Sequence, residues 1–301
     1  MMPIHAYVAG KFAVDVDNAA AGLVLSVEGG HATAPVINEK PGPDKIVHKH
    51  IGPVQFEDIT IGCGSGMSKG FYEWIKAALD RKPARLDGAI HYCDYEGNIV
   101  STLEWQKGLI TEVGFPASDA AAKEQALMTI KIAPESTRQK KASGKIDLLK
   151  YASVKQQRWL SSNFRLSIKG CEEACKRVNR IDAFSIKQQI VEYPSGELRD
   201  YKKEPANLEI PNLVITMAES HADEFYDWHR SFVIEGRNGQ DQEKTGQLEY
   251  LSQDLSSVLL TLNFAGLGIY KLTPEKVEAG SENIRRMKAE MYCESIQFKP
   301  A

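Results

Sequence analysis

Long apolar runs are missing from these 301 residues, and without some ~18 consecutive apolar residues no membrane-spanning helix is expected. The opening stretch, Met1 to Gly10, has no basic cluster followed by an apolar segment. No secretory signal is therefore expected, and assembly is expected in the cytoplasm. A surplus of charge is absent too: 37 basic against 40 acidic side chains leave −3, which supplies no global pull toward nucleic acid or anionic lipid. Cysteine is sparse and odd in number. Cys63, Cys93, Cys171, Cys175 and Cys293 sit at irregular spacings, which excludes a disulfide framework and fits small apolar fillers in a reducing compartment. No P-loop, no G-x-G-x-x-G and no recurrent pair of carboxylates occurs, so nothing asks for a cofactor.

What is present is enough apolar side chain to build cores. With 43% hydrophobic and 26% charged residues the chain has the composition of a folded globular protein, and its length suits two domains of ordinary size.

The two halves carry the same landmarks. Phe71-Tyr72-Glu73-Trp74 returns as Phe225-Tyr226-Asp227-Trp228, an offset of 154 (225 minus 71). At that offset Ile59, Ile61 and Cys63 fall on Leu213, Ile215 and Met217, so the same alternating strand precedes the same aromatic helix. Further on, Gly88, Tyr92, Gly108 and Pro116 fall on Gly246, Tyr250, Gly266 and Pro274 at an offset of 158. Near the start of each half Phe12, Val14 and Val16 match Phe164, Leu166 and Ile168 at 152. A drifting offset is what loop insertions produce, and a period this long is a duplicated domain, since solenoid units span roughly 20 to 50 residues.

The expected organisation is therefore a first β domain over residues 1–138, a linker over 139–162 and a second β domain over 163–301. The basic stretch from Arg138 to Lys145 marks the join, and its charges are read as solvated. Ile146, Leu149 and Val154 offer a partial helical stripe by which the linker would dock.

Within the first unit, Ala6 to Val16 and Ala21 to Val27 read as strands, followed by a Gly- and Pro-rich loop from Gly29 to Pro43 that is too long for a hairpin. Val54, Phe56, Ile59 and Ile61 define a further β segment. Ser68 to Asp80 carries Phe71, Trp74, Ile75 and Ala78 at helical spacing. Ala89 to Cys93 and Ile99 to Trp105 flank a turn-forming pentapeptide and predict a hairpin. Leu109 to Val113 and Ala126 to Ile132 supply two more strands. The second unit repeats this with Asn212 to Met217, His221 to Val233, Gly246 to Leu251, Val258 to Phe264 and Met287 to Phe298. The fold class is mainly β (α+β): two tandem small barrels or sandwiches, each with one packed helix.

Candidate chemistry is thin. Gly66-Met67-Ser68-Lys69-Gly70 satisfies G-x-S-x-G between a strand and a helix, the position of a hydrolase nucleophile. Ala222 occupies the equivalent position in the second half and no βα alternation surrounds the motif, so Ser68 reads as the helix N-cap. An esterase using Ser68 is the enzymatic alternative. His48 with His50, and His91 with Cys93, would share strand faces, yet a fourth zinc ligand is lacking. Cys171 and Cys175 stand at i and i+4 without a second pair. The Phe-Tyr-x-Trp sets place Phe and Trp on one helix face and read as core anchors. No catalytic, cofactor-binding or metal residue is assigned.

Taken together these segments resemble the tail-tube protein family of contractile phages and extracellular injection systems. The resemblance runs over Gly10-Lys11-Phe12, Val24 to Gly30, Ile59-Thr60-Ile61 and Phe71 to Ile75, and in the second half over Val191-Glu192-Tyr193, Leu213 to Thr216 and Phe225 to Trp228. It implies a structural, non-enzymatic protein whose domains form a six-membered ring around a channel, the rings stacking into a tube. Two domains in one chain then imply a homotrimer making a pseudo-hexameric ring. Sheath and baseplate or spike proteins are the implied partners, with no membrane, and DNA or protein cargo passes the channel. The particle is a virion tail or an extracellular injection machine. The fusion is also similar to baseplate hub proteins and tube initiators, and a type VI-like secreted ring carrier is a further alternative. The long loops Gly29 to Pro43 and Gln189 to Pro205 are the expected contact elements.

Overall fold

The computed structural model of the chain describes residues 10–40, 42–43, 45–141, 144–152, 159–194, 201–276 and 284–300. The protein is mainly β. The first half contributes β1 (Lys11–Val16), β2 (Ala19–Val24), β3 (Ser26–Gly29), β4 (Ala32–Thr33), β5 (Val36–Asn38), β6 (Lys49–Ile51), β7 (Gln55–Phe56), β8 (Ile59–Cys63), α1 (Lys69–Leu79), β9 (Leu86–Cys93), β10 (Ile99–Phe115), β11 (Ser118–Asp119), β12 (Met128–Ala133) and β13 (Ser136–Lys141). The short helix α2 (Leu148–Tyr151) follows. The second half contributes β14 (Phe164–Ile168), α3 (Glu172–Cys175), β15 (Val178–Ile181), β16 (Phe184–Pro194), β17 (Tyr201–Glu209), β18 (Leu213–Ala218), α4 (Asp223–His229), β19 (Lys244–Leu251), β20 (Val258–Pro274) and β21 (Arg286–Pro300).

The strands form two large sheets with one shared order. In the first it runs β1-β9-β10-β12-β8-β3, with β2 beyond β1; in the second it runs β14-β19-β20-β21-β18-β15, with β11 beyond β15. Registers agree as well. Phe12 faces Tyr92 as Phe164 faces Tyr250, and Val16 faces Gly88 as Ile168 faces Gly246. Ile61 faces Ile130 as Ile215 faces Ala289.

The bulges recur too. Leu86 faces Gly108 past a bulge after Trp105, and Lys244 faces Leu267 past one after Phe264. A second bulge lies between Ile110 and Glu112 in β10 and between Ile269 and Lys271 in β20. This register revises two of the sequence pairings. Along β10 and β20 the offset is 159, so Gly266 corresponds to Lys107 rather than Gly108, and Pro274 to Phe115 rather than Pro116. The cause is local: the turn between β9 and β10 spans 94–98, whereas that between β19 and β20 spans 252–257, one residue longer. Lys107 and Gly266 both hold positive φ (47° and 66°), the conformation that a bulge demands and glycine adopts most easily.

Two segments expected as separate strands, Ile99 to Trp105 and Leu109 to Val113, are one bulged strand of 17 residues. Likewise β20 runs unbroken for 17. The segment from Gly29 to Pro43, expected as a loop, contains β4 and β5, which pair with β7 and β6 as an arm projecting from the sheet. Strand β13 carries the first sheet to Lys141, and its ladder on β10 matches that of β21 on β20. Leu149 of the expected docking stripe is 81% exposed, because the helix there is a single turn. The attachment comes instead from backbone bonds, Ile99 N–H to the Gly144 carbonyl and Ile146 N–H to the Gly97 carbonyl, each 2.9 Å, and from Tyr151, whose hydroxyl donates to Asp15 on β1. Val154 lies outside the described residues.

The helices cover equivalent faces. Phe71, Trp74, Ile75, Ala78 and Leu79 of α1 are buried, as are Phe225 and Trp228 of α4. Ser68 caps α1, its Oγ accepting from Phe71 N–H at 3.3 Å, while Ala222 at the start of α4 gives no side-chain cap. After α4 the chain continues as one π-type stretch, Arg230–Ile234, which buries Phe232.

Gly88 shows how tightly the first sheet closes. A Cβ there would lie 2.1 Å from Trp105 Cζ2 and 2.5 Å from the Asp15 carbonyl oxygen; at Gly246 the nearest atom would be Leu267 Cδ1 at 3.0 Å. Gly88→Ala is therefore expected to lower stability by about 1–3 kcal/mol, and Gly246→Ala by less, because its closest approaches, Leu267 Cδ1 at 3.0 Å and the Ser167 carbonyl oxygen at 3.1 Å, ask for a shift of only a few tenths of an ångström. Thermal melts of both variants check this; a larger loss for Gly246→Ala would contradict it.

Candidate assembly interface

The segment that joins the two sheets is the end of β10. Its residues Glu112 to Gly114 pair with β12 on one side, and Glu112 to Phe115 pair antiparallel with β16 on the other: Glu112 faces Lys187, Val113 faces Ile186, Gly114 faces Ser185 and Phe115 faces Phe184. The second half thus lends its β16–β17 hairpin to the first sheet. Reciprocally, β11 of the first half adds to the outer edge of β15, Ser118 facing Ile181. Strand exchange in both directions leaves these edges with backbone partners.

Aromatic side chains fill the seam. Phe115 lies 5.3 Å from Phe184 and 6.4 Å from both Tyr250 and Phe298, and Tyr72 of α1 reaches Phe298 at 6.1 Å. Each such pair adds about 0.5–1.5 kcal/mol beyond area burial.

A charged network closes the rim. Arg85 donates to the Lys203 carbonyl at 2.8 Å and pairs with Glu204 at 2.5 Å. The nearly buried Lys203 ammonium lies 3.7 Å from Asp58 and 3.6 Å from Glu192, and Lys131 shares Asp58 at 3.6 Å. Asp58, Lys131, Glu192 and Lys203 line an open groove of about 370 Å³. Opposite charges alternate along it, so it offers a cross-brace and no concentrated field for a charged ligand.

The residues singled out from sequence are dispersed. Ser68 is engaged as the cap of α1. His50 pairs with Glu39 at 3.2 Å on the exposed arm, and the His48 carbonyl accepts from the Glu39 N–H. His91 sits between two strands, Nδ1 3.0 Å from Thr102 Oγ1 and Nε2 3.0 Å from Asp15 Oδ2. The neighbouring Cys93 thiol donates to the His91 carbonyl. Among the described residues no group of three or more His, Cys, Asp or Glu converges on a metal position. All five cysteines are buried and free. Burial pushes the thiols of Cys63, Cys171 and Cys175 up to about 12 and that of Cys293 to about 11, far from the range of a reactive thiolate.

Sequence reasoning did not find the seam. Residues 189–205 were expected as a loop, but β16 and β17 form a ladder reaching from Lys187–Glu209 to Pro194–Tyr201. The alternating buried positions Phe184 and Ile186, continued by the polar Gln188, are the signal that could have shown it.

Residues 8–138 match the family model described as T4-like virus tail tube protein gp19. This region is thus similar to the tail tube proteins of that family. The match spans less than half of the chain and ends in β13. A comparison with curated proteins found no match. Among solved structures, the chain is similar to the sheath–tube complex of an extracellular contractile injection system, PVC, in its extended state (18% identity, 46% of this chain and 89% of that one, TM-score 0.37). It is also similar to the sheath/tube terminator of PVC (20%, 46% and 98%, 0.38) and to Hcp1 from Flavobacterium johnsoniae (14%, 46% and 96%, 0.28). Both α1 and the seam strand β10 fall within the matched residues.

The Asp15–His91 pair ties β1 to β9 in this domain and gives a pH test. The hydrogen bond from His91 lowers the Asp15 pKa below the usual 3.8, with Tyr151 adding to the effect. A carboxylate with a depressed folded pKa stabilises above its unfolded value, and that stability is lost as pH falls through the lowered one. Asp15→Asn should therefore cost about 0.5–1 kcal/mol at pH 7, the partial exposure of the pair keeping it small. Denaturation at a series of pH values should show the gap closing below pH 3.8; a gap that widens there would refute the assignment.

Proposed function

We propose that the chain is a structural component of the inner tube of a contractile phage tail or phage-like injection system, built as two tube modules in tandem. Three chains form a pseudo-hexameric ring with a central channel, and rings stack. The observation that carries this is the common strand order and register of the two sheets, together with the tail tube family match of the first. The modules are the first and second β domains joined by the basic linker, and each already lends strands to the other inside one chain.

A protein that builds a wall needs satisfied strand edges and no reactive groups, which accords with the engaged Ser68, the paired His91 and the buried thiols. The chain performs no catalysis. It assembles in the cytoplasm and ends in a virion tail or an extracellular injection particle, against sheath and baseplate or spike proteins, with DNA or protein cargo crossing the lumen.

The modules are not interchangeable. β2 packs beside β1, whereas at the corresponding place the second module has the short helix α3. Alternating unlike modules give a ring of threefold true symmetry, and this favours, as a second reading, a baseplate hub or tube initiator where a threefold spike meets a sixfold tube.

Mass photometry and negative-stain electron microscopy of the purified chain test the proposal. The expected particle is a ring of about 100 kDa, three times the 33.4 kDa chain. A strictly monomeric species at high concentration would overturn it.

A further inference from the structure

We infer that the ring closes through one strand-edge contact, β4 of one copy pairing antiparallel on the outer edge of Lys271–Pro274 in the next; this inference rests on the ring reading above. The first module's equivalent of that edge, Glu112 to Phe115, is covered within the chain by β16. The second module's edge is not: among the described residues, Lys271 to Pro274 pair with β21 alone. Burial follows the difference. Val113, Gly114 and Phe115 are buried, whereas Lys271 and Pro274 are exposed and Leu272 and Thr273 are half-buried.

The strand that would fill this edge is already built. β16 follows β15 as β4 follows β3, and both hairpins keep the same register at an offset of 154: Lys187 faces Glu209, and Thr33 faces Gln55. On its other side Lys187 faces Glu112, while Ala32 and Thr33 are exposed and have β7 as their one strand partner among the described residues. Transferring the register gives Thr33 opposite Lys271 and Ala32 opposite Leu272, an apolar pair in the place of Ile186 opposite Val113. The arm beyond β4 exposes Val36 and Ile51 (62% and 74%), apolar surface for a neighbour to cover. β3 points the same way: its equivalent β15 is capped by β11, but β3 is the last strand of its sheet. The contact is head-to-tail between unlike patches, and such a contact closes a ring when its rotation divides the circle.

Directly opposed residues in an antiparallel pair lie about 4.5–5.5 Å apart between Cα atoms, within reach of a disulfide. The full-length double variant Thr33→Cys/Lys271→Cys, oxidised with copper phenanthroline, should give a covalent three-chain species on a non-reducing gel. An equimolar mixture of the single variants should give a covalent dimer, and each single variant alone none. The within-chain pair Glu112→Cys/Lys187→Cys, at the same register, should close without a change of mass and calibrates the oxidation. Rings seen by electron microscopy without cross-linking of the double variant would overturn this contact and leave the ring standing. Monomers without cross-linking would overturn both.

Discussion

A seventeen-residue strand in a small domain sets the terms for everything else. Each residue of β10 brings a backbone donor and acceptor that must find partners, and no single neighbour is long enough to serve them all, β9, β12, β13 and β16 having 8, 6, 6 and 11 residues. The ladder is therefore divided: β9 and β13 flank the first stretch, and β12 and β16 flank the last. The bulges at Lys107 and between Ile110 and Glu112 are where the strand bends as it leaves one pair of neighbours for the other. Since β16 comes from the second half, the two halves cannot separate without orphaning the end of β10. The aromatic seam of Phe115, Phe184, Tyr250 and Phe298 follows from that pairing, because the ladder brings Phe115 and Phe184 opposite one another.

The same constraint explains why the repeat drifts as it does. Inside strands no residue can be added without turning side chains to the wrong face, so each change of offset falls in a connection. The step to 159 falls in the turn between β19 and β20. There Asp254 organises Ser252 and Ser256, in place of the Asp94 that binds Glu96 and Asn98 in the first half. These hydrogen bonds hold Asp254 down at about 2 and lower Asp94 as well. Two turns of different length thus reach the same end by the same device, an aspartate accepting from its own loop.

Much of this was legible. The aromatic helix ran within a residue of its expected limits because an i, i+3, i+4 stripe and a serine cap both mark α1. The strands β8, β9, β18 and β19 showed because they alternate. What stayed hidden depended on pairing at a distance. Gly108 looked like a break between two strands, yet Lys107 carries the bulge and the strand continues, a distinction that only the partner strand enforces. Strands β4 and β5 and most of the hairpin β16–β17 read as loops: every residue of β4 and β5 is exposed, so no alternation of buried and exposed faces marks them. Local identity misled in one place for the same reason: matching glycines and prolines aligned Gly108 with Gly266 and Pro116 with Pro274, where the hydrogen-bonded register sets each pair one residue apart.

An unpaired sheet edge is ordinarily an aggregation hazard, and here the edge of β20 is kept short. Pro274 has no N–H, so a ladder entering from the end of β20 cannot extend beyond it, and Gly266 bends the strand before it. β4 is matched to that length, two residues between Gly30 at positive φ and the Pro35 that cannot donate. In the proposed ring, a contact of so few backbone bonds, weak alone, would gain its strength from repetition, since breaking one junction would leave the others to hold the ends in place. In that proposed ring, joining two modules in one chain would make half of the junctions intramolecular, remove their association entropy and leave only the β4–β20 junction to form between molecules. The proposed ring would then alternate a permanent junction, rich in aromatics and buried charge, with a lean reversible one, as ordered assembly from identical chains would need.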